Sequence, residues 1–528
     1  MSDTTPITII GTGFAGLGMG IKLKEAGFHD FVILEQADEV GGTWRDNQYP
    51  GCACDVQSAL YSFSFEQNPN WSRTFAEQEE ILDYLKYCAR KYDLYPHIRF
   101  HQQVAGARFD EASQTWTVET ANAPAMWDYM AKKGLNPGDA IDRNDPEKPE
   151  YQSLRTNILI SGMGGLSTPA YPNIPGVERF EGKSFHSQNW DHDYDLKGKR
   201  VAVIGTGASA IQFVPEVAKD AAQLDLYQRT PPWIMEKPDR PFSKLERTAF
   251  RHVPGALNTL RQSIYWKLEA RVVAFALSPR LMKVAELDAR RLIRKQIKDP
   301  VLRKKVTPDY TIGCKRILMS NNYYPALAQD NVDVITDGIQ EVRPHSIIDK
   351  TGKEREIDAL IYGTGFRATE PLPEGMVFGR GGQDLIHAWR DGAEAYKGTT
   401  VTGFPNFFMM VGPNTGLAHT SLVYMIECQI EYILDAITKM RQNGWQSVDV
   451  QPEVQREFNE DIQSRLDGSV WQDGGCNSWY IDENGKNTTL WPSFTWHFRH
   501  LTSRFDAAQY HCEPAETPIT AAPEPATA

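Results

Sequence analysis

No run of about 18 consecutive apolar residues occurs in this 528-residue chain, so no membrane-spanning helix is expected. Met1 to Pro6 is polar and leads straight into a strand-like run, so no secretory leader is expected. Cysteine is scarce, with seven in all: Cys52, Cys54, Cys88, Cys314, Cys428, Cys476 and Cys512. An odd number without paired spacing predicts no disulfide framework and fits a reducing, cytoplasmic setting. Cys52 and Cys54 form a lone C-x-C, and no second Cys/His pair follows at zinc spacing, so no metal site is expected. A basic surplus is also missing. The formal net charge is −12, which argues against a nucleic-acid partner, because phosphate contacts need clustered Lys and Arg.

The chain does carry 41% hydrophobic and 23% charged residues, enough for buried cores in about two to four domains. Ile7 to Ile10 is an apolar run followed by Gly11-Thr12-Gly13-Phe14-Ala15-Gly16. A helical pattern runs from Leu17 to Glu25, and a second apolar run, Phe31 to Leu34, ends in Glu35. This reads as strand, glycine turn, helix, strand. The same grammar returns at Arg200 to Ile204, Gly205-Thr206-Gly207-Ala208-Ser209-Ala210, a helical stretch, Leu224 to Tyr227 and Gln228-Arg229. Two such units predict an α/β chain with two Rossmann-like dinucleotide-binding domains.

In the first turn, Gly11 permits the tight bend and Gly13 lets the backbone approach a pyrophosphate at the helix N-terminus. Gly16 allows close helix–strand packing. Glu35 falls where an acid accepts hydrogen bonds from a ribose. In the second turn Ala210 stands at the third glycine position and still permits close packing. The following strand ends in Gln228-Arg229 rather than an acid. Arginine there suits the 2′-phosphate of NADPH, which an acid would repel. An N-terminal site of the first kind most often holds FAD in proteins with two nucleotide sites.

Leu245 to Val306 reads as a mainly helical insertion in the second domain, with Pro254, Pro279 and Pro300 near helix boundaries. Charge runs such as Arg290-Arg291 read as solvated helix faces. Ala121 to Glu150 is polar and reads as an excursion from the first domain, a loop, lid or subunit contact. The expected division is 1–170 and 386–505 for the FAD domain, 171–230 and 313–385 for the NADPH domain, 231–312 for the helical insertion, and 506–528 for a disordered tail.

Between the two turns stands Phe180-Glu181-Gly182-Lys183-Ser184-Phe185-His186-Ser187-Gln188-Asn189-Trp190-Asp191. Its Phe180, Gly182, His186, Trp190 and Asp191 match F-x-G-x-x-x-H-x-x-x-W-[P/D], and the chain thereby resembles the type I Baeyer–Villiger monooxygenases. Three further segments strengthen the resemblance: Gly42-Thr43-Trp44 with Tyr49-Pro50-Gly51 and Asp55; Gly313-Cys314-Lys315-Arg316 with Asn322-Tyr323-Tyr324; and Tyr362-Gly363-Thr364-Gly365-Phe366. The matches run in order from Ile7 to about Pro413, more weakly to Trp479.

The resemblance implies FAD and NADPH as cofactors, and dioxygen and a hydrophobic ketone as substrates. It implies an ester or lactone product formed through a C4a-peroxyflavin. It also implies that Arg316 supplies a fixed positive charge, held by Asp55, and that Lys315 joins Arg229 on the 2′-phosphate. Thr43, Trp44, Tyr61 and Val104 would line the flavin, and Trp479 would pack on the nicotinamide half. His186 and Trp190 would couple cofactor binding to domain movement. The apolar segments Leu417 to Leu422 and Trp491 to Trp496 are expected to wall the substrate pocket. Three other readings stay open from the residues: a sulfide- or amine-oxidising flavin monooxygenase, a flavin disulfide reductase, for which the C-x-C is a poor redox pair, and a catalytically silent redox-sensing flavoprotein. Oligomeric state is not legible.

Overall fold

The computed structural model describes residues 4–136, 138–139, 141–368 and 372–515. Ile7 to Ile10 of strand Thr4–Ile10 and all of Phe31–Leu34 are buried on both faces, as a parallel sheet covered on both sides requires. They pair in parallel, Ile7 opposite Phe31. Strand Tyr151–Ser161 lies on the other side of Thr4–Ile10, also parallel. The antiparallel hairpin of Gln102–Asp110 and Thr115–Asn122 extends the sheet. The late strand Phe407–Met409 adds in parallel to the end of Tyr151–Ser161. Trp116 is fully buried on the hairpin and its Nε1 donates to the Pro405 carbonyl at 2.8 Å. That burial contributes roughly 2–3 kcal/mol and joins the early and late parts of one domain.

A second sheet has the order Val332–Ile335, Gln223–Tyr227, Arg200–Ile204, Ala359–Tyr362, Lys183–His186, every pairing parallel. All five strands lie between residues 183 and 362. The second domain is therefore nested inside the first. The insertion is helical as expected, with helices Lys244–His252, Ala256–Glu269, Met282–Gln296 and Pro300–Lys305. Ser243 and Glu246 form a capping box at the first, and Asp299 caps the last, with Pro300 in its first turn.

Four expectations need correction or sharpening. Cys314 and Cys476 form a disulfide, against the reading that no cysteines pair. Spacing along the chain carries no information about two sulfurs 162 residues apart. Residues 506–515 are folded: strand Tyr510–Pro514 pairs with Trp445–Val450, and the Asp506 carboxylate accepts from Tyr396, Tyr432 and Lys397. The rest of the expected tail, 516–528, lies outside the described residues. Strand Val377–Phe378 pairs with Gln102–Asp110, so 372–385 belongs with the first sheet and not with the NADPH domain. Finally, the 121–150 excursion contains helix Ala123–Lys133, whose Met126, Tyr129 and Met130 bury against Ala121 in a small core of their own.

Candidate active site

Helix Phe14–Glu25 begins directly after Gly13, and no side chain caps it. Its first-turn amides are therefore free for an anion. Gly11 has φ +92°, and a Cβ on Gly16 would lie 1.8 Å from the Gly11 carbonyl oxygen. Gly42 lies over Gly13, where a Cβ would be 3.1 Å from the Gly13 Cα. Trp44 donates from Nε1 to the Tyr61 hydroxyl at 3.1 Å, and Tyr61 meets Phe14 edge-on at 5.2 Å. Ala15 is buried in the same turn, and Val104 sits at a register shift in its strand. Glu35 follows strand Phe31–Leu34. Its carboxylate accepts from the Thr12 amide, the Thr12 hydroxyl and the Ala37 amide, and pairs with Arg45 at 3.0 Å. A ribose hydroxyl would share that carboxylate with four donors already in place.

A second uncapped N-terminus belongs to a helix packed on Phe14–Glu25. Ser421 precedes helix Leu422–Asn443 without capping it. The buried Ser421 and Thr420 hydroxyls and the Asn414 Oδ1 have no partner among the described residues. Buried polar atoms without partners are rare in folded proteins, and these fit a polar cofactor.

In the nested domain, Gly205 has φ +109°, and a Cβ there would lie 2.2 Å from the Gly363 oxygen. A Cβ on Gly207 would meet nothing within 4 Å, so this glycine faces open space. Helix Ala210–Asp220 starts later than its counterpart, leaving Thr206, Ala208 and Ser209 in the turn; Ser209 makes no side-chain cap. Ala210 packs where a Cβ on Gly363 would come within 3.1 Å, which explains the glycine in Tyr362-Gly363-Thr364. Gln228 is buried and ties the insertion to this sheet, donating from Nε2 to the Lys305 carbonyl at 2.8 Å. Arg229 is exposed at the rim. Burial, and then repulsion from Arg229, lower the pKa of Lys315, so these two cations share one neighbourhood.

Tyr49-Pro50-Gly51 forms a joint between the domains. The Tyr49 hydroxyl donates to Gln212 Oε1 at 2.8 Å, and Gln212 Nε2 donates to the Ala53 carbonyl at 2.9 Å. Gly51, at φ +78°, lets the backbone of helix Ala210–Asp220 approach, since a Cβ would lie 2.8 Å from the Gln212 oxygen.

Across that joint, Arg316 donates from Nε and Nη2 to the two oxygens of Asp55 at 2.7 and 2.8 Å. Its Nη1 donates to the Leu417 carbonyl at 3.2 Å. Such a bidentate pair fixes orientation as well as charge. The two side chains retain 31% and 28% exposure, so the guanidinium is held but still open to a ligand. Asp55 raises the Arg316 pKa further above its ordinary value. Burial would raise the Asp55 pKa, but Arg316 reverses this and holds the carboxyl below the usual range. Tyr480 is buried in the field of this pair, and burial pushes its hydroxyl up to about 12. Its neighbour Trp479 is 48% exposed and stacks at an angle on Tyr480 at 4.6 Å. Leu417 and Trp491 are buried, and Gly416 bridges to Leu490, so the two expected pocket segments meet beside Arg316. Tyr480 and the Leu417 carbonyl were not singled out from sequence; adjacency to Trp479 was the available signal for the former.

The linker motif has a structural account. A Cβ on Gly182 would lie 2.4 Å from the Phe180 ring. Trp190 packs between Phe185 and Phe213, and Asp191 pairs with Lys183. His186 is fully buried; its Nδ1 accepts from the Gln188 amide at 3.1 Å, so Nε2 carries the proton and donates to the Gly365 carbonyl at 3.0 Å. Both ring nitrogens are thus spent on structure, and burial pushes the imidazole down to about 4. A histidine with a depressed folded pKa costs stability as pH falls, because the unfolded chain takes up the proton first. His186 should therefore remove up to about 3 kcal/mol as pH drops from its ordinary 6.5 to about 4. The check is thermal denaturation across that window. His186→Asn should flatten the slope, and an unchanged slope would refute the assignment.

Two Rossmann-like domains, each with a glycine turn, joined through the Arg316–Asp55 pair, define a protein with two dinucleotide-binding folds. Comparison with known proteins narrows this. A flavin-binding monooxygenase-like family model matches residues 151–274, and an NAD(P)-binding Rossmann-like domain model matches residues 9–78. A Baeyer–Villiger monooxygenase of Pseudomonas aeruginosa is 54% identical over 516 residues, covering 98% of this chain and 92% of that protein. The structure of OTEMO in complex with FAD and NADP aligns with a TM-score of 0.81 at 26% identity, covering 96% of this chain and 99% of that one. Cyclohexanone monooxygenase from Rhodococcus sp. Phi1 bound to NADP+ aligns equally well, with a TM-score of 0.81 at 26% identity over 97% and 99% of the chains. The chain belongs to the Baeyer–Villiger monooxygenase family. Among the described residues no helix is long and apolar enough to cross a membrane, and no cluster of metal-ligating side chains occurs.

Proposed function

We propose that the chain binds FAD in the first cradle and NADPH in the second, and inserts one atom of dioxygen beside a ketone carbonyl to give an ester or lactone. The observation that carries this reading is the bidentate Arg316–Asp55 pair, placed where the two nucleotide domains meet. Bound FAD, reduced by NADPH, supplies the activated oxygen. The protein's own work is positioning and electrostatics. Arg316 cannot lose its proton under any working condition, so it offers a permanent positive charge to the oxygen anion that attacks the ketone. Asp55 fixes the plane of the guanidinium. Leu417, Trp491 and their neighbours form an apolar wall that excludes water and suits a hydrophobic ketone. Asn414, Thr420, Ser421 and the free amides of helix Phe14–Glu25 would hold the flavin nucleotide. Trp479 would close over the nicotinamide half.

Product analysis tests the reaction: purified protein is incubated with NADPH, oxygen, a panel of linear, cyclic and aryl ketones, and one aryl sulfide. Ester or lactone is expected. Sulfoxide without ester would shift the assignment to a sulfide-oxidising monooxygenase, and peroxide alone to a silent flavoprotein.

Arg229 and Lys315 bear on cofactor choice. Replacing both by Ala should raise KM for NADPH roughly 10- to 100-fold, the worth of one or two charge-assisted hydrogen bonds. KM for NADH should hardly move, and equal losses for both nucleotides would remove these residues from the 2′-phosphate.

A further inference from the structure

Cys314 stands two residues before Arg316, and Cys476 three residues before Trp479. Their Cα atoms are 6.1 Å apart and their sulfurs are bonded. The surrounding backbone is built for this approach. Gly474 is seated so closely that a Cβ would lie 2.5 Å from the Cys314 Cβ, and its carbonyl accepts from the Thr311 amide at 3.0 Å. Trp471, at the start of the same segment, stacks on Phe275 of the helical insertion at 5.7 Å. The segment that carries Trp479 is thus docked at one end on the insertion and tied by sulfur to the strip that carries Arg316. The other cysteines are unpaired thiols among the described residues. Cys314 is 1% exposed, whereas Cys476 is partly exposed to solvent.

We propose that Cys314 and Cys476 form a peroxide-responsive thiol pair, which pins the Trp479 segment to the Arg316 strip when oxidised and releases it when reduced. Hydrogen peroxide is the oxidant, the product a flavin monooxygenase sheds whenever activated oxygen is not passed to a substrate. The inference rests on the proposed function for this local source of peroxide and for the place of Trp479 over the nucleotide. The accessible Cys476 thiolate attacks one peroxide oxygen. The O–O bond breaks, leaving Cys476 as a sulfenic acid and releasing hydroxide, which takes up a proton as water. The Cys314 thiolate then attacks the Cys476 sulfur. The S–S bond forms as the S–O bond breaks, and a second hydroxide leaves as water. In sum, two thiols and one peroxide give one disulfide and two waters. A soluble dithiol reverses the change by exchange, ending as its own disulfide. Pinning matters because Trp479, 48% exposed beside Tyr480, would cover the nucleotide on the reading proposed above: a tethered segment slows nucleotide exchange, and the enzyme then throttles itself when it wastes NADPH on peroxide.

The test uses the full-length holoenzyme, reduced with dithiothreitol, desalted and exposed to hydrogen peroxide. Peptide mapping without reductant should show Cys314 linked to Cys476, with the loss of two hydrogens. Chymotryptic cleavage at Trp479 should slow, and NADPH turnover should fall several-fold. Dithiothreitol should restore both. Cys476→Ser, at the partly exposed position, should show no cross-link, and peroxide should change neither its cleavage rate nor its turnover. Three results would each overturn the proposal: Cys476 remaining free to alkylation after peroxide; a cross-link that leaves cleavage and turnover unchanged; or Cys476→Ser losing turnover to peroxide as the unaltered enzyme does. Mapping and cleavage report on the thiol pair even in a protein that makes no ester, so failure of the oxygenation reading is told apart from failure of this one.

Discussion

Arg316→Ala is expected to bind FAD, accept hydride from NADPH and form no detectable ester. The side chain stands on the strip entering strand Leu318–Met319 and reaches Asp55 of the first domain through two parallel hydrogen bonds. On the function proposed above, removing it deletes the charge that would stabilise an attacking oxygen anion, while both glycine turns remain intact. Removal of one preorganised donor to a developing oxyanion costs about 10²- to 10³-fold in rate, and a full cation in a dry site belongs at the upper end or beyond. Arg316→Lys should recover little, because an ammonium cannot make the paired contact with both Asp55 oxygens. The measurement pairs stopped-flow flavin reduction with ester yield. Near-normal ester formation in Arg316→Ala would remove the residue from the chemistry. Loss of flavin reduction at the same time would show that it acts in nucleotide binding instead.

Gly16→Ala and Gly207→Ala should fail in opposite ways. The Gly16 methyl would sit 1.8 Å from the Gly11 carbonyl oxygen, and both partners are backbone, so no rotamer relieves the clash. Helix Phe14–Glu25 would have to move off its strand at a cost of about 3 kcal/mol or more. The expected result is protein with a lowered Tm and little flavin absorbance. Gly207→Ala meets no protein atom within 4 Å and should fold with its normal Tm and flavin content. Its methyl would instead occupy the space proposed for a pyrophosphate, so KM for NADPH should rise sharply. Normal NADPH binding by Gly207→Ala would move the second nucleotide away from that turn.

The contrast marks what the sequence could reveal. Gly11 and Gly16 were legible because a tight turn and a packed helix each demand the absence of a side chain within six residues. The Arg316–Asp55 pair spans 261 residues, and local patterning says nothing at that range. It was readable only through likeness to a family. The Cys314–Cys476 bond was misread for the same reason. Residues 506–515 were misread because the Pro-, Ala- and Thr-rich end colours the whole tail. What holds them is specific: Tyr510 is 5% exposed, with its hydroxyl on Thr400 and Tyr432. The Glu35 reading gave no hint of Arg45 and Thr12, which already engage its carboxylate.

The nesting of one sheet inside the other also sets an order for synthesis. Everything the second sheet needs has been made once Tyr362 leaves the ribosome. The first sheet at that moment has strands Thr4–Ile10 and Tyr151–Ser161 in place but not Phe407–Met409. The guest domain can therefore close while its host still waits for the strand that pairs with the end of Tyr151–Ser161. The host then assembles around a finished neighbour, and Asp55 meets an arginine whose own domain is already folded.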